Sequence, residues 1–182
     1  MKSLLAVALI VSVPVYGWLL GDKPQPTVAE HVKLKSSADI MTELQQQLRA
    51  DPNQADLWFQ LGQGYLFEQD FSAATTCFDY AIRLSESPSA NQLSGKASAI
   101  YYQNKQRLTP EIEALLTRAL SLDANNLAAL TLLASDHFIS FRYQQAIDLW
   151  VQILDSNQPE VDRRKTVVLL NQAKALLEGR RS

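Results

Sequence analysis

The sequence predicts an all-α protein made of stacked helical hairpins, and three observations lead to this prediction. Apolar residues recur at helical spacing through most of the chain after residue 36, and short polar turns separate the helical segments. A pattern of small and aromatic residues in residues 55–88 returns further along the chain. With 182 residues, 47% of them hydrophobic and 20% charged, the chain can form one domain with a sizeable core.

The clearest unit, residues 55–88, contains two helical segments that meet at a turn around Asp70 and Phe71. Gly62 and Ala74 are small where the two helices would cross, so the backbones can approach closely while large rings fill the space beside the crossing. These features form the tetratricopeptide (TPR) pattern, which has a period of about 34 residues. An ordinary amphipathic hairpin of the same period is the alternative. The residues at the pattern positions are Trp58, Leu61, Gly62, Tyr65, Ala74, Phe78 and Ala81.

Two weaker copies of this unit follow, as expected if a single TPR hairpin cannot bury both of its faces. One begins at Leu127, and a middle copy fits the same frame if about three residues are inserted at 104–110. The later copy places in the frame Leu130, Leu133, Ala134, His137, Ala146, Trp150 and Ile153. The middle copy places Leu93, Ala97, Ile100, Leu116 and Ala119. We therefore predict a TPR α-α superhelix of about three hairpins.

One further helix is predicted at each end of the repeats. The first is capped by Ser36 or Ser37 and ends at Asp51, and it resembles the second half of a repeat. Its apolar stripe consists of Ile40, Leu44 and Leu48. The last helix, residues 161–178, would cover the open end of the stack and present polar groups to water. Its apolar stripe consists of Val167, Leu170, Ala173 and Leu177.

Residues 1–21 carry the signal of an N-terminal membrane helix. Lys2 precedes a mostly apolar run over residues 4–20, and Trp18 near its end suits a membrane interface. The length of this run is at the lower limit for a helix that spans a bilayer, and it is also compatible with a signal segment. Because a good small-residue cleavage site is missing, we favour an uncleaved anchor. Lys2 predicts an inner-membrane, single-pass topology with the remaining chain in the periplasm.

The chain therefore divides into three predicted parts: a membrane anchor at 1–21, a tether at 22–35 and a TPR domain at 36–182. The tether contains Pro24 and Pro26 and has no helical period. Its single histidine, His31, is isolated in sequence and is not expected to bind a metal or a haem.

The sequence carries no recognisable catalytic motif. Phosphate-binding loops, metalloprotease helices and nucleophile elbows do not occur in it. The single cysteine, Cys77, excludes an intramolecular disulfide and a thiolate metal cage, and we expect it to be packed. His137 would face its partner helix as a core histidine. We therefore predict that the protein is not an enzyme and uses no cofactor or metal.

The charge of the chain also limits its partners. A net charge of −2 argues against nucleic-acid binding, which needs a concentrated basic face. The short basic cluster at residues 163–165 is interpreted as a solvated helix face, with an acidic partner as the alternative.

The remaining candidate site is the concave groove that the first helices of stacked hairpins form. The residues expected to project into it are aromatic or neutral-polar, which suits a peptide held by flat side chains and a few hydrogen bonds. The predicted peptide-binding residues are Phe59, Gln63, Leu66, Phe67, Ser98, Tyr101, Tyr102, Ser135, Phe138 and Ile139. The other projecting positions hold Asp56, Asn91, Ser94, Ala128 and Thr131. Some of the aromatic residues are expected to pack between repeats instead.

A more specific resemblance rests on residues 130–155, LTLLASDHFISFRYQQAIDLWVQILD, together with residues 101–103 and 118–126. With these stretches, residues 41–181 resemble the TPR subunit of bacterial cytochrome c haem lyases, of the NrfG kind, which is related to the TPR portion of CcmI-type proteins. The membrane anchor followed by a TPR domain also matches this family.

The resemblance implies a non-catalytic subunit of cytochrome c biogenesis. Such a subunit would bind unfolded apocytochrome c near its carboxyl terminus and present it to membrane haem lyase subunits. The quoted residues are compatible with a role specific to formate-dependent nitrite reductase and with a general role in cytochrome c maturation. A TPR scaffold that joins folded proteins in a cell-envelope assembly is the alternative, and an enzyme is a distant third.

Overall fold

Antiparallel helical hairpins follow one another along the described part of the chain. The computed structural model describes residues 36–180, which belong to one compact unit, Lys35–Ser182. Within this range the helices are α1 (Ser37–Ala50), α2 (Ala55–Phe67), α3 (Phe71–Leu84), α4 (Ala90–Gln103), α5 (Pro110–Leu122), α6 (Leu127–Ile139), α7 (Tyr143–Asp155) and α8 (Arg163–Gly179). The predicted all-α TPR fold is confirmed for these residues, which contain no strand.

The predicted membrane helix and tether, residues 1–35, lie outside the described residues. Among residues 36–180, no helix has both the length and the apolar character needed to cross a bilayer.

Polar residues at the helix starts explain where several of the helices begin. The Ser36 hydroxyl accepts the backbone N–H of Asp39, whose carboxylate in turn accepts the backbone N–H of Ser36, forming a capping box. Asp70 caps α3 by accepting the backbone N–H of Ala73 at 3.0 Å. Asn126 does the same for α6, with the backbone N–H of Ala129 at 3.1 Å. The turn predicted at Asp70 is therefore confirmed.

Phe78 is the centre of packing between the first two hairpins. Its ring is fully buried and lies between Gly62 of α2 and Gly95 of α4. A Cβ atom added at Gly62 would lie 2.9 Å from the ring, and one added at Gly95 would lie 2.8 Å from it. Both glycines are therefore needed for this close approach. The repeat pattern predicts the role of Gly62, whereas Gly95 has no place in that pattern.

The predicted insertion in the middle repeat is confirmed. The loop between α4 and α5, residues 104–109, is three residues longer than the corresponding loops at 68–70 and 140–142. Lys105 and Gln106 of this loop take left-handed backbone angles, with φ of 55° and 58°, whereas the shorter loops have one such residue each, Gln69 and Phe141. The predicted middle-repeat residues Leu93, Ala97, Ile100, Leu116 and Ala119 are all buried.

The first helix follows its predicted stripe only in part. Leu44 and Leu48 of α1 are buried against α2, but Ile40 is 45% exposed, so its prediction as a core residue is wrong. Met41 takes its place because its side chain lies over Gly64, where a Cβ atom would meet the Met41 Cγ at 2.9 Å. The first contact of α1 with α2 is thus made by Met41, one residue after the position that the stripe predicts.

The last helix shows the same partial agreement. Leu170 and Ala173 of α8 are buried against the third hairpin, with Leu177 partly buried beside them. Val167 is 41% exposed, which corrects its assignment to the stripe. Leu169 packs on the third hairpin instead, and Val161, just before the helix, is buried in the same cluster.

Candidate functional site: a neutral groove on the first helices

The first helices α2, α4 and α6 line one depression on the described surface, called the groove here, with a volume of about 470 Å³. One lining residue, Phe78, comes from a second helix, α3, and none of the lining side chains carries a formal charge. The lining consists of Phe59, Gln63, Leu66, Phe78, Asn91, Ser94, Gly95, Ser98, Tyr102, Leu127, Ala128, Thr131, Leu132 and Ser135. The groove therefore combines apolar surface with neutral hydrogen-bonding groups.

Six of the residues predicted for peptide binding line this groove: Phe59, Gln63, Leu66, Ser98, Tyr102 and Ser135. Two of them are aromatic and are held in place by other rings. Phe59 packs against Phe78 with ring centroids 5.8 Å apart, and Tyr102 stacks on Phe71 at 5.4 Å. Tyr102 is 40% exposed, so its ring presents a rigid flat surface at the end of the groove.

Tyr101 does not belong to the groove, and its assignment to the peptide-binding surface is corrected. Its side chain is 2% exposed, and its hydroxyl donates a hydrogen bond of 3.1 Å to the buried carboxylate of Asp136 on α6. Burial and the neighbouring Asp136 raise the pKa of Tyr101 well above its usual range. Tyr101 therefore joins the second hairpin to the third.

Phe138 does not line the groove, and its partly buried ring packs against Tyr143 at 5.7 Å and Trp150 at 5.5 Å. Phe67 and Ile139 are exposed at the carboxyl ends of α2 and α6, at 77% and 45%. Phe67 lines a second depression, called the basin here, of about 950 Å³. The basin is lined by Leu66, Phe67, Gln69, Phe71, Tyr102, Lys105, Gln106 and Lys165.

The side chain of Asn126 fixes the orientation of the Asn91 side-chain amide in the groove. The side-chain oxygen of the buried Asn126 accepts the Ala129 N–H, so the Asn126 amide nitrogen must be the donor to Asn91. This donor reaches the Asn91 side-chain oxygen at 2.7 Å. The Asn91 NH₂ group is therefore the part left to donate to a ligand in the groove.

The polar cluster beside Tyr101 has a structural role. Asp136 is buried and forms an ion pair with Arg142, whose Nε donates to the Nδ1 of His137 at 2.7 Å. Burial and the adjacent Arg142 lower the pKa of His137. His137 is thus half-buried, neutral at pH 7 and engaged in a hydrogen bond, which agrees with the expected core histidine.

No other cluster of reactive groups occurs within residues 36–180. These residues contain no group of His, Cys, Asp and Glu side chains that could hold a metal ion. Cys77 is buried between α1, α2 and α3, and burial, with a smaller effect of Asp70, raises its pKa to about 11. The thiol is therefore protonated at neutral pH.

Comparison with known proteins identifies the family. The model of the family described as the TPR domain of cytochrome c-type biogenesis protein H matches residues 21–164. The chain belongs to this family of cytochrome c biogenesis TPR proteins. The resemblance inferred from residues 130–155 is thereby confirmed.

Individual relatives agree with this assignment. The chain is 38% identical over 133 residues to the formate-dependent nitrite reductase complex subunit NrfG of Escherichia coli O157:H7, covering 73% of this chain and 67% of NrfG. It is 38% identical over 141 residues to the bifunctional subunit NrfFG of Haemophilus influenzae, covering 78% of this chain but 36% of that protein. It is 29% identical over 163 residues to the cytochrome c-type biogenesis protein CycH of Pseudomonas aeruginosa, covering 85% of this chain and 40% of CycH.

A solved structure supports the fold alone. The crystal structure of MamA superposes with a TM-score of 0.54 at 18% identity, covering 79% of this chain and 91% of MamA. Taken together, the family and its relatives identify a TPR subunit of the cytochrome c biogenesis and nitrite reductase complex type.

Proposed function

We propose that this protein is a non-catalytic peptide-binding subunit of cytochrome c maturation. It binds unfolded apocytochrome c in the groove, near the carboxyl terminus of the client, and presents it to membrane haem lyase subunits. The observation that carries the proposal is the neutral, aromatic lining of the groove in a member of a cytochrome c biogenesis family. Two relatives are named as nitrite reductase complex subunits, which supports protein partners of this kind.

The lining of the groove suits an extended peptide. Phe59 and Tyr102 offer flat apolar surfaces held by neighbouring rings, so a client side chain can bind without ordering a mobile residue. The Asn91 NH₂ can donate to a peptide carbonyl. The Ser98 hydroxyl donates to the Ser94 carbonyl at 2.9 Å, so its lone pairs can accept from a peptide N–H.

The titratable groups nearest the groove support a role without catalysis. Tyr101 and Asp136 are buried and bonded to each other, and His137 accepts a hydrogen bond from Arg142. A general acid or base must reach the proton that it transfers. Tyr101 and Asp136 are buried between two hairpins, and the Nδ1 atom of His137 is already occupied by Arg142. Residues 1–21 would anchor the subunit in the inner membrane, with the TPR domain in the periplasm.

Calorimetry on the full-length chain in mild detergent tests the proposal. The probes are synthetic carboxyl-terminal peptides of the apocytochromes c encoded in the same genome. We expect at least one peptide to bind, and Tyr102→Ala to weaken binding about thirtyfold because an exposed anchoring ring is lost. Phe59→Ala should weaken binding in the same direction.

Tyr80→Ala is the matched control, because Tyr80 is also 40% exposed but lies on α3, where it stacks on Trp58 outside the groove. Equal losses in Tyr80→Ala and Tyr102→Ala would contradict a site in the groove. If no apocytochrome peptide binds and only folded envelope proteins do, the scaffold alternative takes the place of this proposal.

A further inference from the structure

Two lysines from separate elements line the basin. Lys105 lies in the long loop after α4, and Lys165 lies in the first turn of α8. No carboxylate lines the basin. Within residues 36–180, the ion pairs are Lys96 with Asp79 and Arg142 with Asp136, so neither basin lysine has its charge paired there. The basin therefore offers two ammonium groups to a ligand.

The three residues of the basic cluster at 163–165 have different positions relative to the basin. Arg163 donates to the backbone carbonyl of Leu154 at 2.8 Å, which ties α8 to the end of α7. Arg164 is exposed and does not line the basin. Lys165 lines the basin and also borders a smaller cavity with Glu160 and Asp162, without an ion pair to either. Of the three residues, only Lys165 lines the basin.

The groove and the basin are adjacent to each other. Leu66 and Tyr102 line both depressions, so a peptide that leaves the groove past these residues enters the basin. There the exposed ring of Phe67 can cover an apolar side chain, and the amides of Gln69 and Gln106 can donate hydrogen bonds. An apolar surface next to two unpaired cations selects for a carboxylate that follows an apolar residue.

We propose that the basin is a carboxylate subsite, in which Lys105 and Lys165 bind the carboxylate of a peptide held in the groove. This inference rests on the proposed function and adds the direction of the bound chain, since the carboxylate must lie at the end marked by Tyr102. The carboxylate is supplied by the carboxyl terminus of the peptide or by an Asp or Glu side chain near it. Because both lysines are exposed, salt screens the interaction and its contribution is modest.

The test uses the full-length chain and an apocytochrome carboxyl-terminal peptide in three forms: the free acid, the carboxyl-terminal amide, and the amide with Asp and Glu replaced by Asn and Gln. Calorimetry at low and high salt compares the parent with Lys105→Gln, Lys165→Gln and the double variant. Arg164→Gln is the matched control, since it removes the same charge from the same helix turn outside the basin. We expect about a two- to fivefold loss for each lysine, close to tenfold for the double variant, and little change for the control.

Each outcome is decisive. If the parent binds the free acid more tightly than the amide, and the double variant binds both equally, a terminal carboxylate occupies the subsite. If the parent loses affinity only when Asp and Glu of the peptide are replaced, and the double variant shows no such difference, a side-chain carboxylate occupies the subsite. If all three peptides bind the parent and the lysine variants equally, or if Arg164→Gln costs as much as Lys165→Gln, the subsite is overturned while peptide binding in the groove stands. If no peptide binds at all, both the subsite and the proposed function are overturned.

Discussion

Two adjacent tyrosines of α4 have different environments. Tyr101 is buried and hydrogen-bonded to Asp136, whereas Tyr102 is exposed beside Phe71. Tyr101→Phe removes the hydroxyl and leaves the buried Asp136 with Arg142 as its side-chain partner. We expect a loss of about 1 to 3 kcal/mol in the free energy of unfolding, measured with urea, because a buried acceptor loses a donor.

Tyr102→Phe is the control for this prediction, because the Tyr102 hydroxyl makes no hydrogen bond within residues 36–180. It should unfold like the parent. Peptide binding should be retained in Tyr101→Phe. A binding loss without a stability loss in that variant would return Tyr101 to the groove.

His137 gives the fold a pH dependence whose sign follows from its surroundings. Burial and Arg142 lower its pKa in the folded state, so below the ordinary histidine pKa of about 6.5 the unfolded chain binds more protons than the folded one. The stabilisation from neutral His137 is therefore complete above about pH 6.5 and is lost as the pH falls through the folded-state pKa.

Urea unfolding at pH 7.5 and at pH 5.5 measures this effect. We expect the parent to be less stable at the lower pH, and His137→Gln to show a smaller decrease, because glutamine does not titrate. His31→Gln, which changes the histidine of the predicted tether, is the matched control and should behave like the parent. An identical pH dependence in His137→Gln and the parent would show that other groups cause it.

At the scale of the helices, the crossing at Gly62 should be the position of the first hairpin most sensitive to size. A Leu side chain there meets the buried ring of Phe78, and such overpacking typically costs about 1 to 3 kcal/mol. Thermal or urea unfolding of Gly62→Leu measures the cost. Gly179→Leu is the matched control, because an added Cβ at that helix end meets no atom of another helix within 4 Å in residues 36–180. Equal stability of the two variants would show that the crossing tolerates a large side chain.

The helices could be predicted well because each carries its own signal. Apolar spacing, the cap at Asp70 and the small residues at the crossing are local features, and the structure confirms them. The end helices were predicted less accurately, as Ile40 and Val167 show. Each of these helices packs mainly against one side of the stack. The apolar stripe does not specify how the helix is rotated about its axis, so it does not decide which edge of the stripe is buried.

At the scale of the whole molecule, the repeat pattern alone does not predict which residues line the groove. Leu66, Tyr101 and Phe138 hold equivalent positions in the three hairpins, yet only Leu66 lines the groove. Tyr101 bonds to Asp136 of the next hairpin, and Phe138 packs on Trp150 of the second helix of its own hairpin, so their positions depend on how the neighbouring helices pack. That arrangement is a property of the stack, and a frame applied to each repeat separately does not contain it.

The basin was missed for a related reason. Its two lysines are 60 residues apart, at 105 and 165, and they come from an inserted loop and from the end helix. Neither residue occupies a projecting position of a repeat, so the pattern that predicts the groove leaves them out. Only the curvature of the stack shows that Lys165 and the Leu66 side of the groove line one depression.

The topology of the chain is the last expectation to test. Lys2 and the apolar run at 4–20 predict one membrane crossing, with the TPR domain in the periplasm. Protease added to spheroplasts should digest the TPR domain, because the outer side of the inner membrane is then accessible, and a cytoplasmic marker protein should stay intact as the control. Protection of the TPR domain would refute this topology. Release of the domain into the soluble fraction without protease would show that residues 1–21 act as a cleaved signal segment, and the subunit would then depend on its protein partners to remain at the membrane.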